Sequence, residues 1–219
     1  MIEIKDSHEI PIFPTYVNTF FLETNSFEQI SKKFIEGKQN KLYNGLYDEN
    51  IDVYTTEHVL HEAEEFYELT DIVKRCFDIS LNRLDINHQG ADIISMWANI
   101  HGSKNGGFHD LHLHPNSYLS CVFYINVPEG SGNIFFEDPR ECKNMVVWDS
   151  KHSSDNYEKY RSWQFTPKTG MIIVFPSYLR HKVKRGKFKD GEHRIVVSAN
   201  CIPFAECKEN TLRYKYSGQ

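Results

Sequence analysis

Four of the chain's eleven histidines, His101, His109, His112 and His114, fall between positions 101 and 114. In an extended segment residues two apart project to the same side, so His112 and His114 share a face and Leu113 points away from it, into the core. Two converging imidazoles suit a borderline divalent ion such as iron, zinc or copper, and a third ligand from a distant strand would fix it. His181, far along the chain at the end of the apolar run GMIIVFPSYLRH, is the donor the pattern supplies. Asp110, of the same parity as His112, or the more distant Asp138 is the alternative carboxylate ligand, with His114 then standing beside the site. His-x-His taken by itself reads equally as a hydrogen-bonded surface pair.

Arg194 follows His181 and opens the apolar strand RIVVSAN. A guanidinium pointing inward from a strand is costly unless it meets a carboxylate. Strand alternation puts Arg194, Val196, Ser198 and Asn200 on one face, presenting a cation, a hydroxyl and an amide in a row that suits a small dicarboxylate. Tyr124, in SCVFYIN, is placed to donate its phenol to the same carboxylate. For Arg194 taken alone, an ion pair with one of the thirty Asp and Glu residues is the ordinary alternative.

Such residues need rigid elements to hold them, and the apolar periods say which. Residues 27–37 (FEQISKKFIEG) and about 56–82 carry helical spacing; in the second, Val59, Ala63, Phe66, Ile72, Val73 and Phe77 form a stripe that would pack on a sheet. Strands are expected near 93–101, 117–127, 133–137, 144–148, 162–166, 170–176, 180–184 and 193–202, separated by the turn signals KNGG, PEGSG, PKTG and KDGE. Helices first and many short strands afterwards predict a mainly β fold, a jelly roll with N-terminal helices packed on one sheet. At 219 residues, one domain accounts for the chain: a helical buttress over 1–92, a jelly-roll core over 93–203 and a C-terminal tail over 204–219. The least patterned part, 139–161, reads as a long loop over the substrate, with Trp148, Tyr157 and Arg161 as contacts; a solvated surface loop is the plain alternative.

Composition narrows the partners. The formal charge of −5 leaves no footprint for nucleic acid or an anionic membrane. No stretch reaches the length of an apolar membrane span, and the first residues lack a secretion signal. Five cysteines, Cys76, Cys121, Cys142, Cys201 and Cys207, are an odd number without metal-finger spacing, the usage of reduced thiols in the cytoplasm.

The segments MWANI, HLHPNSYLSCVFYINVPEGSGNIFFEDPR, GMIIVFPSYLRHKV and EHRIVVSAN together resemble the iron(II)- and 2-oxoglutarate-dependent oxygenases, in particular the phage and marine-bacterial branch related to prolyl hydroxylases. The resemblance spans roughly residues 93–203. It implies a double-stranded β-helix, Fe(II) as metal, and 2-oxoglutarate as cosubstrate anchored by Arg194 with Tyr124 and Ser198. Asn200, Asn99 and Ser120 are further cosubstrate contacts, Asn99 and Ser120 on its near side. The expected reaction uses molecular oxygen to hydroxylate an amino acid, peptide or small metabolite. The family pattern is His-x-Asp or His-x-Glu, whereas this chain has His112-Leu113-His114, giving three histidines and one more unit of positive charge at the ion. Two rivals follow from the same residues. One is a cupin-like three-histidine dioxygenase or isomerase that needs no dicarboxylate; the other is a non-catalytic jelly-roll binding module.

Overall fold

The computed structural model describes residues 13–23, 26–40, 43–140 and 162–205. Along the chain come β1 (Asn18–Phe21), α1 (Phe27–Gln39), β2 (Leu46–Asp48), β3 (Val53–Thr55), α2 (Tyr67–Arg83) and β4 (Gly90–Gly102). Then follow β5 (His109–His112), β6 (Leu119–Asn126), β7 (Ile134–Glu137), β8 (Ser162–Phe165), β9 (Met171–Pro176), β10 (His181–Val183) and β11 (His193–Phe204). Two antiparallel sheets result, one of seven strands in the order β1-β9-β6-β11-β4-β3-β2 and one of four in the order β5-β10-β7-β8. They form the expected jelly roll, with α1 and α2 packed on the large sheet.

The central strands β9, β6, β11 and β4 of the large sheet are buried on both faces, and strand alternation sorts their side chains between two cores. Cys121, Phe123 and Ile125 of β6, Ile172 and Val174 of β9, and Ile195, Val197, Ala199 and Cys201 of β11 face the helices. There they meet Phe34 of α1 and Leu69, Val73, Phe77 and Leu81 of α2, whose spacing keeps one apolar stripe on the sheet. The intervening residues Val122, Tyr124, Ile173, Phe175 and Val196 face the small sheet and pack with Ile134, Phe136 and Leu179. One face of each strand therefore builds the scaffold while the other lines the space between the sheets.

The helix expected over about 56–82 is shorter than its pattern. Only Tyr67–Arg83 is α-helical, preceded by two single 3₁₀ turns at Leu60–Glu62 and Glu64–Phe66. The backbone before them is claimed by β4: Thr56 N–H donates to the Ala98 carbonyl at 3.0 Å, and Met96 N–H donates to the His58 carbonyl at 2.9 Å. The Thr56 hydroxyl also accepts from Ala98 N–H at 2.9 Å. Pairing with the sheet overrides the helical period, and Val59 is left exposed outside the stripe. The short strands β1, β2 and β3 extend the large sheet at its two edges. The strand expected at 144–148 lies outside the described residues, as do residues 206–219 of the tail.

Candidate functional site

His112 and His181 are direct partners across the antiparallel pair β5 and β10, which sets their rings side by side with centroids 4.2 Å apart. His114 lies just beyond β5, where its backbone N–H donates to the Ser177 carbonyl at 3.0 Å. Its ring sits 5.2 Å from that of His112 and 5.1 Å from that of His181. The three offer nitrogen atoms that all lie within 4.8 Å of one another, a group able to hold a metal ion.

The orientation of two rings is fixed by the backbone. Nδ1 of His181 is 3.0 Å from the Leu179 carbonyl, and Nδ1 of His112 is 2.6 Å from the Asp110 carbonyl. A carbonyl only accepts, so each Nδ1 carries the proton and each Nε2 keeps its lone pair for an ion. Burial pushes His181 down to about 3 and His114 to about 4, and His112 beside them adds to both shifts. These two rings are therefore neutral, the form that ligates.

The cavity of about 310 Å³ between the sheets joins this triad to Arg194. Register explains its wall. β11 contributes Arg194, Val196, Ser198 and Asn200; directly opposite on β4 stand His101, Asn99, Trp97 and Ser95; on β6, Tyr124, Val122 and Ser120 pair with Val196, Ser198 and Asn200. Arg194 is 1% exposed, and its Nε and Nη1 have no hydrogen-bond partner. The hydroxyl of Tyr124 is likewise buried without a partner, its ring 5.5 Å from the guanidinium carbon. Burial raises the Tyr124 pKa and lowers that of Arg194, and each group offsets part of the other's shift.

Residues 95–200 match the family model described as "Putative 2OG-Fe(II) oxygenase". The jelly-roll core is therefore similar to the 2-oxoglutarate/Fe(II) oxygenases. Solved structures agree in fold. A Pseudomonas putida prolyl-4-hydroxylase is 12% identical with a TM-score of 0.57, over 88% of this chain and 94% of that one. SnoK, a non-heme alpha ketoglutarate dependent carbocyclase from nogalamycin biosynthesis, is 10% identical with a TM-score of 0.62, over 85% and 79%. HygX from Streptomyces hygroscopicus, solved with nickel, 2-oxoglutarate and hygromycin B bound, is 11% identical with a TM-score of 0.57, over 86% and 83%. At such identities the likeness is one of fold. Comparison with the curated proteins found no match.

Within this core the structure separates the expected site residues into two groups. His112, His114, His181, Arg194, Tyr124, Ser198, Asn200 and Asn99 all line the cavity. Ser120 is buried beside it and is committed to protein, sharing a hydrogen bond with Ser177 at 2.8 Å and donating to Asn200 Oδ1 at 2.7 Å. Asn200 in turn donates to Ser95 at 2.9 Å, and Asn99 accepts from Thr55 at 2.8 Å, so these two amides act chiefly as struts. Asp110 is exposed and outside the histidine group. The Asp138 carboxylate is held by Arg140 at 2.7 Å and likewise stands outside the histidine group. Leu113, expected in the core, is 42% exposed, because β5 ends at His112 and strand alternation no longer governs the next residue. Trp148, Tyr157 and Arg161, the expected loop contacts, lie outside the described residues.

The cavity also holds residues for which the sequence had suggested no role. Trp97 stacks on His58 at 4.4 Å and leans on His114 at 5.7 Å, forming the wall beside the triad. His101 and His109 stand at the Arg194 end. Trp97 and His101 share parity with Asn99 on one strand, and that alternation was the signal that would have found them. Among the described residues, no helix is long and apolar enough to cross a membrane.

Proposed function

We propose that this chain is an iron(II)- and 2-oxoglutarate-dependent dioxygenase of the branch related to prolyl hydroxylases. Its reaction is hydroxylation of an unactivated C–H bond in an amino acid, peptide or small metabolite in the cytoplasm. The observation that carries this reading is Arg194: a buried guanidinium with two unbonded nitrogens, in the same cavity as three converging imidazoles. A buried cation left without an anion is costly, and a diacid supplies the missing partner.

The residues present fit both groups. His112, His114 and His181 would hold the ion through nitrogen, a donor set suited to a borderline divalent metal. Arg194, with Tyr124 and Ser198 beside it, would take the far carboxylate of 2-oxoglutarate by charge-assisted hydrogen bonds. Together the ferrous ion and the diacid supply oxygen activation, coupled to oxidative loss of carbon dioxide to give succinate. The chain supplies position and dryness. Phe136 and Phe175 pack on the His181 ring at 5.8 and 4.7 Å and keep water from its outer side. Trp97 shapes the wall against which a substrate would lie.

Protein purified without oxygen should bind one equivalent of ferrous iron and develop a visible charge-transfer band on addition of 2-oxoglutarate. Succinate release in a screen of amino acids, peptides and small metabolites would then identify the substrate. Iron binding with no band and no effect of 2-oxoglutarate would refute the reading. The cupin-like alternative shares the three histidines but has no use for Arg194, so it predicts an Arg194→Met enzyme with unchanged cosubstrate behaviour.

A further inference from the structure

The three histidines of the metal group are not held alike. His112 and His181 each donate Nδ1–H to a carbonyl two residues upstream. Among the described residues, neither ring nitrogen of His114 has a hydrogen-bond partner. A metal-bound histidine ordinarily gives its second nitrogen to such a partner, which fixes the orientation of the ring. His114 needs a different constraint. Its ring neighbours are His112 and His181, which would ligate the same ion, and Trp97, which would not.

Trp97 stands on β4 opposite Ser198 of β11, is 8% exposed, and sets its ring 5.7 Å from that of His114 at 53°. The indole is itself fixed from a second element, because His58 stacks on it at 4.4 Å and 17°. Backbone pairing makes that stack. Met96 N–H donates to the His58 carbonyl, Thr56 N–H donates to the Ala98 carbonyl, and Val59 bridges to Met96. Segment 56–59 therefore runs along β4 with its bonds on the two residues that flank Trp97. The pairing that overrides the helical period near Thr56 is the same one that carries an imidazole onto the indole. Rings prefer particular relative orientations because their faces are negative and their edges positive, so such contacts can set an angle as well as a distance. His58, Trp97 and His114 form a chain of three rings that all line the cavity, from the exposed His58 inward to the metal group.

Resting on the metal centre of the reading above, we infer that Trp97 is a positioning residue for the third ligand. It aims the His114 ring by aromatic contact where His112 and His181 use backbone carbonyls, and His58 braces the indole from behind β4's own register. His114 is accordingly the ligand whose grip on the ion depends on packing.

Titration of the metal-free protein with cobalt(II) tests this without turnover, since the visible absorption of the bound ion reports both affinity and ligand set. Trp97→Leu should weaken cobalt binding by about 10- to 100-fold, the range for losing a residue that orients a metal ligand. The spectrum of the bound ion should move toward that of His114→Ala. Trp97→Phe, which keeps a ring, should recover most of the loss. In a His114→Ala background, Trp97→Leu should change the affinity by less than about twofold, because the ligand it positions is gone. His58→Ala, at an exposed position, should weaken binding in the same direction by less. Unchanged affinity and spectrum in Trp97→Leu overturns the inference, and so does an equal loss in both backgrounds, which would mark a general structural role. If Trp97→Leu does not fold, unchanged cobalt binding by His58→Ala overturns it instead. Should the wild-type protein bind cobalt and Trp97→Leu match it, this inference falls and the proposed function stands; should the wild-type protein bind none, both fall.

Discussion

The two faces of β11 are built for different purposes. Toward the helices it presents Ile195, Val197, Ala199 and Cys201, all fully buried in an apolar core. Toward the small sheet it presents Arg194, Val196, Ser198 and Asn200, equally enclosed but mostly polar. Both faces are buried, so burial alone does not distinguish scaffold from site. What distinguishes them is satisfaction: the helix-facing side needs no partner, whereas the cavity side carries polar atoms still waiting for one. Stability and recognition are thus separated by a single step of strand register.

Mutations can test that division. The largest loss of stability is expected on the helix side: Phe123→Ala removes a fully buried ring packed edge-to-face on Phe27 at 5.9 Å. It should cost about 3–5 kcal/mol in urea unfolding and leave ligand affinity of the folded fraction unchanged. Arg194→Met on the opposite face should do the reverse. It removes an uncompensated buried charge, so unfolding free energy should hold or rise, while 2-oxoglutarate binding weakens by about 2–5 kcal/mol in calorimetry. Comparable destabilisation by both variants would break the comparison.

Acid should act through the cavity side. His109, His114 and His181 are held near 4, 4 and 3 in the folded metal-free protein against an ordinary 6.5. Below about pH 6.5 the unfolded chain therefore binds more protons. Stability should fall as pH drops through that value and level off at about 3 to 4. His109→Phe should reduce the slope by one proton, about 1.4 kcal/mol per pH unit, in urea midpoints measured between pH 6.5 and 5. A slope unchanged by the substitution would remove His109 from the buried neutral set. The smallest effect is expected at the exposed Leu113, where Leu113→Ser should shift stability by less than about 0.5 kcal/mol despite its place between two site histidines.

The sequence was most legible where strands are long and buried. The runs around β6, β9 and β11 alternate or stay apolar over enough residues to fix both element and face. β2 and β3 are only 3 residues each, too short for any period, and they depend on pairing with β4 and with one another. Residues 56–66 misled because Val59, Ala63 and Phe66 have helical spacing although the chain near Thr56 is bonded to the sheet. The cavity was read one strand at a time: the β11 row was complete, but the β4 row was sampled only at Asn99. Its neighbours Trp97 and His101 have meaning only through a register that no single segment encodes.

The hydrogen bonds from Nδ1 of His112 and His181 to carbonyls two residues upstream have a practical consequence. Both bonds lie wholly within the chain, so on the proposed reading the socket is built before it is filled. Ion capture should then release few protons and freeze little additional motion. A chelator would strip such a protein without unfolding it, and a fresh ion would restore it without any refolding step.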